Sequence, residues 1–190
     1  IRSIAEDLSG NIWLATKFGL YRYSNNTLES FFSDAGNSKS LSHDEVNCLL
    51  VDSDNALWIG SRKGINLYRP STNRFERLTL TDEKANALCN DFVLWIAEDE
   101  SGNIWVGTRI GLVRYNKASK ASRIYTKTDG LANDVISGIV CDKQNRIWVS
   151  TNMGISCIIN NLVLNFTTND GVAGYVFNPN AVCKRANGEL

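Results

Sequence analysis

Histidine and methionine occur once each, as His43 and Met153, and proline only twice, as Pro70 and Pro179, in 190 residues. One histidine excludes a multi-histidine metal centre. A Ser-His-Asp relay would have to run through His43, which sits in the polar loop Ser-Leu-Ser-His-Asp-Glu. The cysteines, Cys48, Cys89, Cys141, Cys157 and Cys183, are odd in number and include no C-x-x-C pair. The tight spacing of zinc clusters and dithiol redox motifs is therefore missing, and the thiols read as small buried hydrophobes that leave the compartment open. No apolar run nears the roughly 18 residues of a membrane span, so no membrane contact is expected of this segment. With 20 Lys+Arg against 20 Asp+Glu the formal charge is zero, which excludes a basic nucleic-acid binder and an acidic disordered tail. From its opening on patterned sequence, no signal peptide is expected in this segment. With its one methionine internal, the chain is expected to be a piece of something larger. Hydrophobic residues at 43% and charged residues at 21% give an ordinary globular balance with enough apolar mass for a core. By length alone this is one domain.

Four of the five tryptophans set a period. Trp13, Trp58, Trp105 and Trp148 are 45, 47 and 43 residues apart. An Asp lies six residues before each (Asp7, Asp52, Asp99, Asp142), a Thr or Ser three after (Thr16, Ser61, Thr108, Thr151) and a Gly six after (Gly19, Gly64, Gly111, Gly154). A period of this length means stacked or radial supersecondary units.

Each unit divides into short strands. A nearly continuous apolar run such as 93–98 predicts a first strand buried on both faces. A polar turn follows, with Gly10, Asn55, Gly102 or Asn145 three before the Trp, the residue types that tolerate a left-handed backbone. The Trp strand comes next, then a tight turn at the recurrent Gly. A third, alternating strand carries Tyr23, Tyr68, Tyr115 and Ile158 at one equivalent position, and a fourth is expected to end in aromatics: Phe31-Phe32, Phe75, Tyr125 and Phe166. Helical periodicity is absent throughout. Four antiparallel strands per unit is the arithmetic of a β-propeller blade, so the expected fold is all-β, with about four blades and the start of a fifth. The units run approximately 1–45, 46–92, 93–135 and 136–178, with a partial one at 179–190.

The block Asp-x-x-Gly-Asn-Ile-Trp-x-x-Thr-x-x-Gly-Leu, repeated at this spacing, resembles the two-component regulator propeller repeat. The likeness covers the chain. It is strong in copies one and three, and looser in copy two (Asp54-Asn55-Ala56 at the turn) and copy four (Asn145-Arg146, and Ser150 for the usual Gly). The C-terminal stretch resembles the opening of a next blade, with Asn187-Gly188 at its turn and the expected aromatic at position 191, one past the last residue. The resemblance implies a periplasmic sensor, the extracytoplasmic part of an inner-membrane hybrid sensor histidine kinase of the Bacteroidetes type, and a larger ring of which this arc is part. It further implies that the segment senses or relays binding of an oligosaccharide from polysaccharide breakdown to the kinase and its phosphorelay. No chemistry, cofactor, metal or nucleic acid is implied. The partners would be the oligosaccharide, the rest of the propeller, the parent kinase and, in the full-length protein, a second copy.

Residues present in every copy are explained by the blade they build. Asp7, Asp52, Asp99 and Asp142 are expected to be turn caps accepting backbone N–H bonds. A calcium loop is excluded at Asp52-Ser53-Asp54, because the twelfth position is Lys63 rather than an acid. The recurrent tryptophans are expected to be packing anchors between blades, each burying on the order of 200 Å². Asn25-Asn26-Thr27 and Asn165-Phe166-Thr167 fit the glycosylation pattern, which carries no weight in a bacterial chain.

Function is expected where copies differ. Four after each Trp, on the rim that also carries the inter-blade connections, stand Lys17, Arg62, Arg109 and Asn152, with Lys63 beside Arg62. These cations suit an anionic sugar, a uronic acid or a sulfated unit. The alternative is ion pairing with Asp44, Asp91 and Asp134, two residues before each first strand. Trp95 replaces Ser3, Cys48 and Gly138 of the other copies. It either stacks on a sugar near the channel or packs into space left by small neighbours. Two further readings stay open: a propeller serving only as an interaction or dimerisation scaffold, and a propeller enzyme such as a lyase. The enzyme would need a histidine, metal or carboxylate cluster on the channel that these residues do not supply.

Overall fold

Each copy of the repeat forms a four-stranded antiparallel sheet in this computed structural model, which describes residues 1–70, 72, 74–174 and 176–178. The first blade holds β1 (Ser3–Glu6), β2 (Ile12–Thr16), β3 (Gly19–Ser24) and β4 (Thr27–Phe31). The second holds β5 (Val46–Val51), β6 (Leu57–Ser61), β7 (Gly64–Arg69) and β8 (Arg74–Arg77), and a short helix α1 (Glu83–Cys89) follows it. The third holds β9 (Val93–Glu98), β10 (Asn103–Thr108), β11 (Leu112–Asn116) and β12 (Ser122–Tyr125). The fourth holds β13 (Ile136–Cys141), β14 (Ile147–Thr151), β15 (Gly154–Ile159) and β16 (Leu162–Phe166). The expected partial fifth unit at 179–190, with Pro179, Cys183 and Asn187-Gly188, lies outside the described residues.

The recurring side chains build the turns. Asp7 Oδ1 accepts from the backbone N–H groups of Ser9 and Asn11, both at 3.0 Å, and the other three aspartates repeat the pattern. Each Asp also accepts from the indole of the Trp six residues on, at 2.8–2.9 Å. The repeated Asp–Trp spacing is thus a hydrogen bond that closes each first hairpin. The residue three before each Trp is left-handed, with φ 77 at Gly10 and 59 at Asn55. The recurring Thr or Ser donates its hydroxyl to the carbonyl of the recurring Gly, as Thr16 does to Gly19 at 2.8 Å.

First strands adjoin one another in the order β1, β5, β9, β13 and so lie innermost, while the fourth strands form the largely exposed outer edge. Blades stack face to face. Three cores fill the three interfaces, and each tryptophan of the first three blades is buried in one of them. Trp13 meets Tyr68 of the second blade with ring centroids 4.9 Å apart, and Trp58 meets Tyr115 of the third at 6.3 Å. Close approach of the innermost strands needs small residues on the Trp strands. A Cβ on Gly107 would lie 2.6 Å from Ile136 Cγ2 of the next blade, a distance no packed atom accepts.

Two expectations are corrected. Helix α1 interrupts the run of strands between the second and third blades. Asp82 caps it, accepting from Ala85 N at 2.8 Å, and seven residues are too few to display a helical period in sequence. Phe75 does not take the position of Phe31, Tyr125 and Phe166, which pair with the residue just after the recurrent Gly. It pairs with Tyr68 at the other end of β7, and Leu78 bonds to Ile65 in its stead. Phe75 still packs on Tyr68 and Phe31 in the first interface.

Candidate functional site

The turn after each Trp strand shares a rim with the inter-blade connections, as the hydrogen bonds show directly. Gly19 N donates to Asp44 O at 2.8 Å, Arg62 N to Glu45 O at 3.0 Å and Gly64 N to Asp91 O at 3.1 Å. Each turn is thereby latched to the connection that enters the same or the next blade.

On this rim Arg62 and Arg109, from neighbouring blades, flank one ring. The Arg109 guanidinium carbon lies 4.0 Å from the Phe92 centroid and that of Arg62 lies 5.7 Å away. Arg62 also ion-pairs with Glu45 at 3.3 Å. Glu45 in turn accepts from Arg2 Nη2 at 2.8 Å, and Arg2 bonds the Asn47 side-chain oxygen as well. Asn47 is buried and ties this group to the third blade by donating to Val93 O at 2.8 Å. The Arg2 hydrogen bond, opposed by burial and aided by Arg62, holds the Glu45 carboxyl below its ordinary value. The result is a fixed carboxylate between two guanidiniums, a third guanidinium on an aromatic face, and exposed Lys63 alongside. Such a set can grip an anionic group through arginine forks beside an apolar surface.

The aspartates expected to neutralise the rim cations are engaged elsewhere. Asp44 accepts from Ser33 N at 2.6 Å, Asp91 from Phe92 N at 2.7 Å and Asp134 from Lys127 N at 2.7 Å. Short side chains beside unpaired backbone donors cap them, whereas the longer Glu45 reaches the arginines. Among the described residues Lys17, Lys63 and Arg109 make no ion pair. Lys17 stands over Phe18 at 5.8 Å on the first blade and Asn152 is exposed on the fourth, both outside the Arg62–Phe92–Arg109 group. Trp95 is half-buried. It lies opposite Gly107 in register and packs against the core between the third and fourth blades, which is the packing alternative.

Arg2, Glu45 and Phe92 were not among the expected site residues. Glu45, Phe92 and Val135 occupy the position immediately before each first strand, so the rule that function lies where copies differ points to them. His43 serves the connection rather than a relay, its Nδ1 accepting from Glu45 N at 2.9 Å. Cys48, Cys89, Cys141 and Cys157 are buried free thiols, and burial pushes those of Cys48 and Cys89 up to about 12. Among the described residues no group of His, Cys, Asp and Glu is placed to hold a metal, and no helix is long and apolar enough to cross a membrane.

At the opposite end, Lys117 reaches from the turn after β11 into the interface of the second and third blades. Its Nζ lies 2.7 Å from Glu98, 2.8 Å from Asp54 and 3.1 Å from Asp52. Burial disfavours its charge, but these carboxylates outweigh that and raise it above the ordinary lysine value.

Fold and rim together define an arc of β-propeller blades. Three stretches, residues 40–63, 87–109 and 130–153, match the family model described as two component regulator propeller, one match for each of the second to fourth blades. These three stretches are thus similar to that family's repeat. It is similar to the extracellular domain of BT3049 from B. thetaiotaomicron, named for a hybrid two component system, at 26% identity and TM-score 0.81 over 98% of this chain and 25% of that one. The corresponding domain of BT4673 from the same organism gives 23% identity and TM-score 0.77 over 89% of this chain and 25% of that one. Virginiamycin B lyase from Staphylococcus aureus, at 17% identity and TM-score 0.64 over 87% of this chain and 55% of that one, shares the fold alone. The chain spans a quarter of each of these two extracellular domains. No curated protein matches it.

Proposed function

We propose that this chain is part of the periplasmic sensor propeller of a hybrid two-component system and performs no chemistry itself. It senses, or relays the binding of, an oligosaccharide released from a polysaccharide. The observation that carries this reading is the Arg62–Phe92–Arg109 group with Arg2 and Glu45 on a rim of non-repeating residues. Arginine forks beside an aromatic face suit a uronate or sulfated sugar. Ligand favours one arrangement of paired sensors, and the kinase of the parent chain reads that shift in population. The test is heat stability and calorimetry against uronate-containing, sulfated and neutral oligosaccharides. Acidic sugars should raise Tm and Arg62→Ala with Arg109→Ala should abolish the rise. A flat response to every glycan counts against direct recognition.

A scaffold reading is favoured by a different observation. Next to the rim cations stand the exposed apolar side chains Phe18 (71%), Ile110 (48%) and Met153 (50%), which suit a protein partner. In that case Arg62→Ala with Arg109→Ala spares signalling in the parent protein, and Phe18→Ser with Ile110→Ser and Met153→Ser abolishes it.

A further inference from the structure

The end of the arc carrying Lys117 has two comparable clefts, each between the first turn of one blade and the third turn of the next. They share the recurrent aspartate, Asp52 in one and Asp99 in the other, and differ at the charged positions around it. Between the second and third blades, Lys117 fills the space among Asp52, Asp54 and Glu98, leaving a cavity of about 160 Å³. Between the third and fourth blades, Asp54 is replaced by Ser101, Glu98 by Cys141 and Lys117 by Asn160. The turn differs too. In the third blade it spans from Asn116 to Ala121, whereas in the fourth it is the two-residue Asn160-Asn161 hairpin, both residues left-handed at φ 49 and 68. The shorter turn carries no long side chain into the interface, and a cavity of about 360 Å³ opens there.

The lining of that cavity is specific. Its floor is the buried Trp105, Ile147 and Ile158. Its walls include Arg114, Asn160, Asn161 and Asn145, the last already accepting from Glu100 N at 3.0 Å and donating to Ser101 Oγ at 3.1 Å. The buried Asp99 carboxylate is committed to the Trp105 indole and to Asn103. Asn161 Oδ1 accepts from Arg114 at 3.1 Å and from the Tyr125 hydroxyl at 2.9 Å, which leaves its amide NH₂ for another partner. Among the described residues the Asn160 side chain makes no hydrogen bond. One carboxylate and one guanidinium cancel, so neither an anion nor a cation is favoured. The Asn160 side-chain amide and the Asn161 NH₂, beside an apolar floor, match hydroxyls on a ring with an apolar face.

We propose that this inter-blade cleft binds a neutral sugar ring. The ligand class rests on the carbohydrate reading above, and the place rests on the cleft alone. The test is a titration of the ¹⁵N-labelled chain with neutral mono- and disaccharides, followed by amide and indole NMR signals. The expected result is saturable shifts in the side-chain signals of Asn145, Asn160, Asn161 and Trp105. Asn160→Gly with Asn161→Gly, which keeps the left-handed hairpin, should weaken binding about tenfold, the scale of one or two lost hydrogen bonds. The same pair of changes at Asn25 and Asn26, a left-handed hairpin on the first blade, should leave binding unchanged. Shifts that persist undiminished in the Asn160/Asn161 variant overturn the cleft. Sugar binding confined to signals around Phe92 also overturns the cleft but upholds carbohydrate sensing at the rim. Absence of response to every sugar, neutral or acidic, overturns both.

Discussion

In the third blade Ile96, Ile104, Val106 and Tyr115 are at most 5% exposed, because they face the second blade. The same positions in the first blade are Ile4, Ile12, Leu14 and Tyr23, and there Ile4 is 61% and Tyr23 45% exposed. The residue types are alike and the strand registers are alike. What differs is the presence of a neighbouring blade among the described residues. A blade therefore does not bury its own apolar pattern. It supplies one face to the blade before and another to the blade after, and its stability is a sum of interface contributions, as in other repeat architectures. Trp148, whose face has no following blade among the described residues, is accordingly less buried than Trp13, Trp58 and Trp105.

Substitutions can break or sharpen this contrast. The largest effect is expected at the tryptophans. Trp105→Ala should cost about 3–5 kcal/mol in urea unfolding, and Trp148→Ala less than half of that, because among the described residues the former sits between two blades and the latter has one on one side. Ile104→Ala should cost about 2–4 kcal/mol, and the same change at Ile12 under about 1 kcal/mol. Equal losses at Ile104 and Ile12 would show that neighbours do not set the energetics. Lys117→Ala leaves Asp52 and Glu98 clustered without a cation at one interface, and a loss of about 1–3 kcal/mol is expected by the same measurement.

The smallest effect is in acid. Burial works against the charge on Asp7, Asp52 and Asp142, but the indole of the partner Trp and nearby backbone N–H groups outweigh it. These carboxyls accordingly lie below the ordinary value of 3.8. Carboxylates depressed in the folded state contribute stability that is complete above that value and is lost as pH falls through the folded one. The urea midpoint should therefore drop below about pH 4, and Asp52→Asn should flatten the drop. A midpoint in Asp52→Asn that falls as steeply as in the parent chain would contradict the assignment.

Much of the blade was readable before the structure. The Asp–Trp–Gly spacing, the left-handed Asn55 and Asn145, and the shared register of Tyr23, Tyr68, Tyr115 and Ile158 all follow from local turn chemistry and a period of two. What escaped depends on juxtaposition. Phe75 sits near the turn opposite Tyr68, and Leu78 takes the place beside Ile65 that an aromatic holds in the other blades. Helix α1 was too brief to show a period. The rim was only partly legible. Arg62 and Arg109 stood out as differences between copies, but Glu45 and Phe92 acquire meaning only when residues 17 apart, such as Glu45 and Arg62, or blades apart, such as Arg2 and Glu45, meet on one rim.

The central claim is that neighbouring blades, rather than each sheet alone, hold the repeat together. Native-state amide hydrogen exchange reads this most directly, by comparing β10 with β2 in the same molecule. Backbone amides of β10, flanked on both faces, should exchange at least about tenfold more slowly than those of β2, flanked on one. Exchange in β2 as slow as in β10 would contradict it.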